Sequence, residues 1–321
     1  MKRLLLAAVG LGLAALLVTA WLFWWSSGTA TATRQVEVRE GATLTRLCPQ
    51  LQEKGLVANC RAYRIFARLL GSGDGIQAGE FEVPAGTSQA RLLDILQHGA
   101  PVQRLVTIPE GMPSVLVQEK LAAVPYLTGP APLPAEGSVL PDSYSFGRGE
   151  TRAAVAARMT AAMDRTLAEL WPQRKAGACP VSTPAEAVNL AAIVEKETGK
   201  PAERRAVAGV YCNRLRIGMK LDADPTVIYP VTKGRPLGRR ILRSELNADT
   251  GYNTYRRPGL PAGPIANPGR ASIAAVLDPE RHEYIYFVAD GTGGHIFART
   301  LAEHNANVRK WFALRRVRGE M

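Results

Sequence analysis

The sequence predicts an α+β protein that carries a single transmembrane helix at its N-terminus. An uncharged apolar run occupies residues 4–25, short segments alternate apolar and polar residues as strands do, and longer segments have helical periodicity and end at glycine. With 321 residues, of which 46% are hydrophobic, the chain is long enough for two ordinary domains with substantial cores.

The N-terminal apolar run has the length and the flanks of a membrane anchor. At about 1.5 Å per residue, residues 4–25 would span a hydrocarbon core about 30 Å thick. Lys2 and Arg3 precede the run, which predicts a cytoplasmic N-terminus, and three tryptophans lie at its far end. A cleaved signal peptide is the alternative, but its apolar region would be only about 7–15 residues long. We therefore expect a cytoplasmic tip and retained anchor at 1–25, a polar linker at 26–33, and the remaining chain outside the cytoplasm.

The segment 34–108 has the elements of a small α+β domain. Val36 and Val38 alternate with polar residues and predict a short strand. Two amphipathic helices follow, the first ending at Gly55 and the second at Gly71. A further strand, a third helix that ends at a glycine, and a last strand complete the predicted domain.

The segment 109–321 predicts a larger mixed domain. It includes a Pro- and Gly-rich stretch at 125–150 and an Ala-rich helix at 150–171. The next helix has a well-marked start, with Thr183 as N-cap, a proline at the first helical position and Glu186 completing a capping box. Later segments predict another helix, a strand at "YIYFVAD" and a final basic helix.

The charge and the motif content exclude several classes of function. The net charge of +12 predicts an anionic partner. Because most of the chain is expected outside the cytoplasm, we expect anionic lipid or a cell-wall polymer, and no nucleic acid. Histidines are few and no CxxC pair occurs, so we expect no metal site. No phosphate-binding glycine loop opens a helix, so we expect no nucleotide and no other cofactor.

The four cysteines are compatible with disulfide bonds in an oxidising compartment. Cys48 lies on the first helix of the small domain and Cys60 at the start of the next, with only a turn around Gly55 between them, so the two predict one bond. Cys179 and Cys212 predict a second bond. Four unpaired buried thiols are the alternative.

A carboxylate at the end of an apolar helix is the strongest candidate for chemistry. At about 100° per residue, Glu197 projects from the stripe of Leu190, Ile193 and Val194, whereas Glu195 falls on a shallower face. A carboxyl group among such side chains is desolvated, which raises its pKa and suits it to general acid catalysis. The alternative is that the helix frays here and both glutamates are solvated.

Two loop-forming segments have the composition of a sugar-binding site. Residues 213–229 and 252–269 combine Asn, Asp and Tyr with Gly and Pro. Amide, carboxyl and aromatic groups bind sugars by hydrogen bonds and stacking, although Pro and Gly also fix ordinary turns. The candidates for orienting a substrate or the acid, each with a fold-stabilising role as its alternative, are Glu195, Asn213, Asp224, Tyr252 and Asn253.

Several motifs, in order along the chain, resemble the YceG-like (MltG) family of endolytic murein transglycosylases. They are "IPEGM", "LPDSY", "IVEKET", "NRLRIGMKLDADPTVIY", "YNTY", "GPIANPG" and "YFVADGTGGHIF". The resemblance implies a membrane-anchored bacterial enzyme with a LysM-like domain at 34–108 and a YceG-like catalytic domain at 109–321. Ala262 departs from the family pattern, which usually has a second proline there, and the cysteines are outside that pattern.

The family resemblance implies cleavage of the β-1,4 bond between N-acetylmuramic acid and N-acetylglucosamine in nascent peptidoglycan, with formation of 1,6-anhydro ends. The family's catalytic glutamate is the second of the E-K-E pair, which is Glu197. The implied partners are glycan strands, the bacterial inner membrane through residues 4–25, and cell-wall synthases such as penicillin-binding proteins; the catalytic domain is expected in the periplasm. The alternatives are a non-catalytic, membrane-anchored wall-binding scaffold and a hydrolase that releases reducing ends.

Overall fold

The structure is a computed structural model that describes residues 2–319. It consists of two compact units, which divide between Arg104 and Leu105. We call them unit 1 and unit 2. The sequence-based boundary lies four residues later, after residue 108. The mixed α+β class expected from the sequence is confirmed, since helices and short antiparallel strand pairs occur along the chain.

The N-terminal residues form the first helix of unit 1, α1 (Lys2–Trp25). Within the part of the chain that the structure describes, no helix is both long enough and apolar enough to cross a membrane. The transmembrane helix expected at residues 4–25 is therefore not confirmed and stays a prediction.

The rest of unit 1 is a two-stranded sheet covered by helices. The strands β1 (Arg34–Val38) and β2 (Gly79–Val83) pair antiparallel, with Val36 opposite Phe81. The helices are α2 (Leu44–Glu53), α3 (Cys60–Leu70) and α4 (Gln89–His98). The side chains of their N-cap residues, Thr43, Asn59 and Ser88, accept backbone N–H bonds, as the sequence of each helix start favours.

Both expected cysteine pairs are disulfide-bonded. Cys48 and Cys60 join α2 to α3 with a Cα–Cα distance of 5.7 Å. Cys179 and Cys212 are 4.9 Å apart at their Cα atoms. These separations lie within the usual range for a disulfide. The alternative of four unpaired thiols is wrong.

Unit 2 begins with a small layer that carries its own apolar core. The strand β3 (Arg104–Thr107) pairs with β4 (Ser143–Phe146). The helices α5 (Ser114–Ala123) and α6 (Arg152–Leu170) follow the two strands in the chain. The core of this layer consists of residues from all four elements and their connections, including Val106, Val117, Leu121, Phe146, Val155 and Met159.

The larger core of unit 2 surrounds a central helix, α7 (Pro184–Glu197). The helices α8 (Arg204–Arg216) and α11 (Arg270–Leu277) pack on α7 and on each other. The remaining elements are α9 (Asp224–Thr232), α10 (Arg243–Asn247), the antiparallel pair β5 (Tyr286–Ala289) and β6 (His295–Ala298), and α12 (Leu301–Val317). Because α7 lies at the centre, its last turn is positioned by several neighbouring elements at once.

One segment that was expected to form a loop is partly helical. Residues 224–232 form α9, which starts where the sequence reads Asp-Pro. Proline is favoured in the first turn of a helix, since its φ angle is already helical and it has no N–H to leave unpaired. Asp224 therefore begins a helix, and its side chain lies at the N-terminal end of α9.

Candidate active site

The helix α7 begins as its sequence predicts but is buried differently. The Thr183 hydroxyl accepts the N–H of Glu186 at 3.1 Å, whereas the Glu186 carboxylate accepts from the N–H of Ser182 rather than from that of Thr183. Every residue from Ala187 to Val194 is buried. The apolar surface is therefore not a single stripe, because the middle of the helix is buried on all sides within unit 2.

Glu197 is the last residue of α7, and its partly buried side chain is next to α8. The Tyr211 hydroxyl of α8 donates a hydrogen bond to its carboxylate. Burial raises the pKa of Glu197 to about 7, and the nearby Asp224 carboxylate adds to the increase, while the bond from Tyr211 and the charge of Arg214 oppose it. Near neutral pH the carboxyl group is therefore present in both its protonated and its ionised form.

The two α8 residues near Glu197 are held by separate contacts. Tyr211 is fully buried and packs edge-on against Phe287, with 5.8 Å between the ring centroids. The Arg214 side chain donates to the backbone carbonyls of Ile285 and Leu221, each at 2.6 Å. Because these acceptors are uncharged, the positive charge of Arg214 remains available to stabilise an ionised Glu197.

A second carboxylate lies near Glu197 and has its own tyrosine partner. The Tyr255 hydroxyl donates to Asp224 Oδ1 at 2.7 Å. Burial raises the pKa of Tyr255, and the hydrogen bond to Asp224 raises it further. Asp224 is solvent-exposed, so it affects Glu197 through its charge while it stays accessible to a ligand.

Glu195 is buried as well, although helical periodicity placed it on a shallower face than Glu197. Its side chain is 5% exposed. The Arg204 guanidinium donates to Glu195 Oε1 at 3.1 Å and to Glu110 Oε2 at 2.7 Å, and the Gly269 N–H donates to Glu195 Oε2 at 2.9 Å. A Cβ atom on Gly269 would lie 2.0 Å from Glu110 Oε1, so a larger residue there would displace the Glu110 side chain from its present position. Glu195 thus joins the end of α7 to two distant segments.

Two of the expected site residues stabilise loops instead of facing Glu197. The Asn213 amide donates to the carbonyls of His282 at 2.9 Å and Tyr284 at 3.0 Å. The buried Asn253 amide donates to several carbonyls at the end of α10, the shortest bond being 2.8 Å to Ala248. Because their amide donors bind backbone carbonyls, both residues stabilise the fold. This is the role that the sequence analysis gave as the alternative to orienting a substrate.

Tyr252 is partly buried and packs against another tyrosine. Its ring centroid lies 5.0 Å from that of Tyr229. Tyr229 is hydrogen-bonded to Glu136, a carboxyl group that also accepts from the Ser114 N–H at 2.9 Å and from the Asn267 amide at 3.3 Å. Burial raises the pKa of Glu136, and the hydrogen bonds from Ser114 and Tyr229 oppose the change. Tyr252 therefore belongs to a second polar cluster of unit 2.

The structure thus brings Glu197 and Asp224 together with three residues that the sequence analysis did not select: Tyr211, Arg214 and Tyr255. Tyr211 and Arg214 are three positions apart on α8, a spacing that places side chains on one helix face. The available signal was a tyrosine that follows an apolar run on α8 with an arginine three positions later, since polar side chains on a buried helix face require partners.

The comparisons with known proteins agree with this architecture. The profile of the YceG-like family matches residues 36–310. An endolytic murein transglycosylase of Bacillus subtilis is 24% identical over 314 residues, which cover 88% of this chain and 85% of the relative. An endolytic murein transglycosylase of Streptococcus pneumoniae is 27% identical and is matched over 85% of this chain and 57% of its own length.

A solved structure has the same fold. The crystal structure of a yceG-like protein from Listeria monocytogenes superposes with a TM-score of 0.54 at 25% identity, and the match covers 85% of this chain and 98% of that one. Since the family profile spans both units and most of the chain, the protein belongs to the YceG-like family.

Proposed function

We propose that this protein is an endolytic murein transglycosylase that cleaves the β-1,4 bond between N-acetylmuramic acid and N-acetylglucosamine and leaves 1,6-anhydro ends, with Glu197 as the general acid and base. The observation that carries the proposal is the environment of Glu197, whose pKa burial raises to about 7. The names of the two curated relatives support the reaction class.

In the first step the protonated Glu197 donates its proton to the glycosidic oxygen, and the bond from that oxygen to C1 of the muramyl residue breaks. The N-acetyl group of the substrate stabilises the positive charge that develops at C1. In the second step the Glu197 carboxylate accepts the proton of the C6 hydroxyl while that oxygen bonds to C1. The proton is returned to Glu197, and no water is consumed.

One carboxyl group can serve both steps because its two protonation states are close in free energy near neutral pH. Burial and the charge of Asp224 favour the protonated form, which the first step requires. The Tyr211 hydroxyl and Arg214 favour the ionised form, which the second step requires. The usual pair of glycosidase carboxylates is not needed, since no water has to be activated.

The other residues near the acid have supporting roles in this proposal. Asp224 is exposed and close to Glu197, so it can accept hydrogen bonds from sugar hydroxyls as well as tune the acid. Glu195 fixes the end of α7 through Arg204 and is a positioning residue. Tyr252, which belongs to the second polar cluster, offers an aromatic ring on which a sugar can stack.

We also propose that residues 4–25 anchor the protein in the inner membrane, with the N-terminus in the cytoplasm and both units outside. The uncharged run after Lys2 and Arg3 supports this topology. The two disulfides support an oxidising compartment. In this proposal unit 1 is a LysM-like domain that holds glycan. Cell-wall synthases are the proposed protein partners.

Mass spectrometry of digested peptidoglycan tests the reaction directly. The full chain should release fragments with 1,6-anhydro ends, and Glu197→Gln should abolish nearly all release, because general acid–base catalysis commonly contributes about 10²–10⁴-fold. Glu53→Gln, which changes an exposed glutamate of unit 1, is the matched control and should behave as the parent.

The products distinguish the competing functions. Reducing ends would identify a hydrolase, and the absence of products from a folded, glycan-binding protein would identify a scaffold. Release by Glu197→Gln at the parent rate would show that another residue is the acid.

A further inference from the structure

The last turn of α1 is fixed on α3 by aromatic side chains. The Trp24 ring is buried, with its centroid 5.8 Å from that of Tyr63 and 6.0 Å from that of Phe66. Phe23 also contacts Phe66, with 5.0 Å between the centroids. Since α1 and α3 belong to the same compact unit, α3 lies beside the C-terminal end of α1.

The opposite face of α3 is exposed and divided into two stripes. At about 100° per residue, Arg61, Arg64 and Arg68 form one stripe, and Ile65 and Leu69 form the stripe next to it. Ile65 is 49% exposed and Leu69 is 72% exposed. Within residues 2–319, no carboxylate forms an ion pair with any of the three arginines.

The apolar stripe of α3 is accompanied by exposed apolar residues near the end of α1. Trp21, Leu22 and Trp25 are all exposed, each by about half of its surface. A soluble protein rarely exposes this many large apolar side chains in one small unit unless something binds to them. Tryptophan beside leucine and arginine is the composition of a surface that lies at a membrane interface.

We propose that α3 is an interfacial helix that binds a bilayer containing anionic phospholipids. The guanidinium groups of Arg61, Arg64 and Arg68 bind lipid phosphates, to which arginine donates in a bidentate manner. Ile65 and Leu69 insert at the level where the headgroups meet the acyl chains. The inference rests on the anchoring part of the proposed function and is independent of the catalytic part.

A lipid surface fits α3 better than a glycan strand does. Glycan could pair with the three arginines, which line an open groove of about 1010 Å³ in unit 1, but it would leave Leu69 exposed to water. A bilayer can bind the arginine stripe and cover the apolar stripe at the same time, because phosphates and acyl chains lie next to each other at its surface. The same bilayer would also cover the exposed side chains at the end of α1.

Quenching of tryptophan fluorescence by brominated phospholipids tests the position of α3. The full chain with Leu69→Trp is reconstituted in vesicles of equal parts phosphatidylglycerol and brominated phosphatidylcholine. The additional tryptophan fluorescence of this variant, relative to the parent chain, should be quenched by the brominated lipid. Glu37→Trp, at an exposed position of β1, is the matched control and should be quenched much less.

The arginines are tested by neutral substitution in the same vesicles. Each arginine near an anionic surface favours binding by about fivefold, so adding Arg64→Gln and Arg68→Gln to Leu69→Trp should lower the ratio of docked to undocked helix by about 25-fold. High salt should also lower the ratio of docked to undocked helix in the chain that carries Leu69→Trp alone, because it screens the headgroup charge.

The outcomes separate this inference from the anchoring proposal. A chain that does not float with the vesicles overturns both. A chain that floats but shows equal quenching for Leu69→Trp and Glu37→Trp overturns the position of α3 alone. Unchanged quenching after both arginine substitutions, together with weaker binding of soluble glycan fragments, would assign the arginines to glycan and also overturn the inference.

Discussion

Replacing the proposed catalytic acid should stabilise unit 2 at alkaline pH. Glu197 has a folded-state pKa of about 7, against an ordinary value of 4.5 that the unfolded chain is expected to have. Between these two values the folded protein binds more protons than the unfolded chain, so its free energy of unfolding falls as the pH rises. At 1.36 kcal/mol for each pKa unit, the loss amounts to about 3 kcal/mol and is complete above about pH 7.

Glu197→Gln removes this titration while keeping a carbonyl oxygen that can accept from the Tyr211 hydroxyl. The free energy of unfolding of the variant relative to the parent should therefore increase by about 3 kcal/mol from about pH 4 to about pH 8. Hydrogen exchange of the buried amides of residues 187–194, with the disulfides intact, measures this free energy for unit 2 alone.

Glu53→Gln, on the surface of unit 1, corrects for general effects of removing a carboxylate. A difference between Glu197→Gln and the parent that does not change with pH would refute the reasoning, because it would mean that Glu197 titrates alike in the folded and unfolded states. A difference that decreases as the pH rises would have the wrong sign and would also refute it.

The remaining predictions concern the tuning of the acid and the first disulfide. Asp224→Asn removes a charge that raises the pKa of Glu197, so the alkaline decline of kcat/KM should move to lower pH, whereas Tyr211→Phe removes a hydrogen bond to the carboxylate and should move the decline to higher pH. Shifts in the same direction in pH–rate profiles would contradict this assignment. Replacing Cys48 and Cys60 by serine should destabilise unit 1 by about 3 kcal/mol, measured by hydrogen exchange of its core amides. Thiol counting on the oxidised parent should find no free thiol from this pair, and two free thiols there would contradict the bond.

The sequence predicted those elements whose ends carry local signals. Thr183 and the proline after it define the start of α7, and the strand at "YIYFVAD" corresponds to β5. The four-residue strand β4 and the helix α9 were not predicted, because a short strand has little periodicity and Asp-Pro is as common in turns as at helix starts. Glu197 stands out from sequence because a long apolar run of its own helix precedes it.

The partners of the site residues were less predictable, since they come from distant segments. Asn213 binds carbonyls about 70 positions away, and Tyr255 reaches Asp224 across 31 positions. The burial of Glu195 depends on Arg204 and on Gly269, 74 positions beyond it. Helical periodicity assigns a face to a side chain but does not indicate what covers that face.

The junction at Glu195 has a consequence for the order in which the protein becomes functional. Glu110, Glu195 and Gly269 belong to segments far apart in the chain, and they meet at the end of the helix that carries Glu197. Contacts of such large sequence separation form only after a costly closure of the intervening chain. A chain that has folded no further than α8 therefore lacks one anchor of this junction. The end of α7 that carries Glu197 is fixed only when the segment around Gly269 has joined the fold, so we expect the candidate site to be completed late in folding.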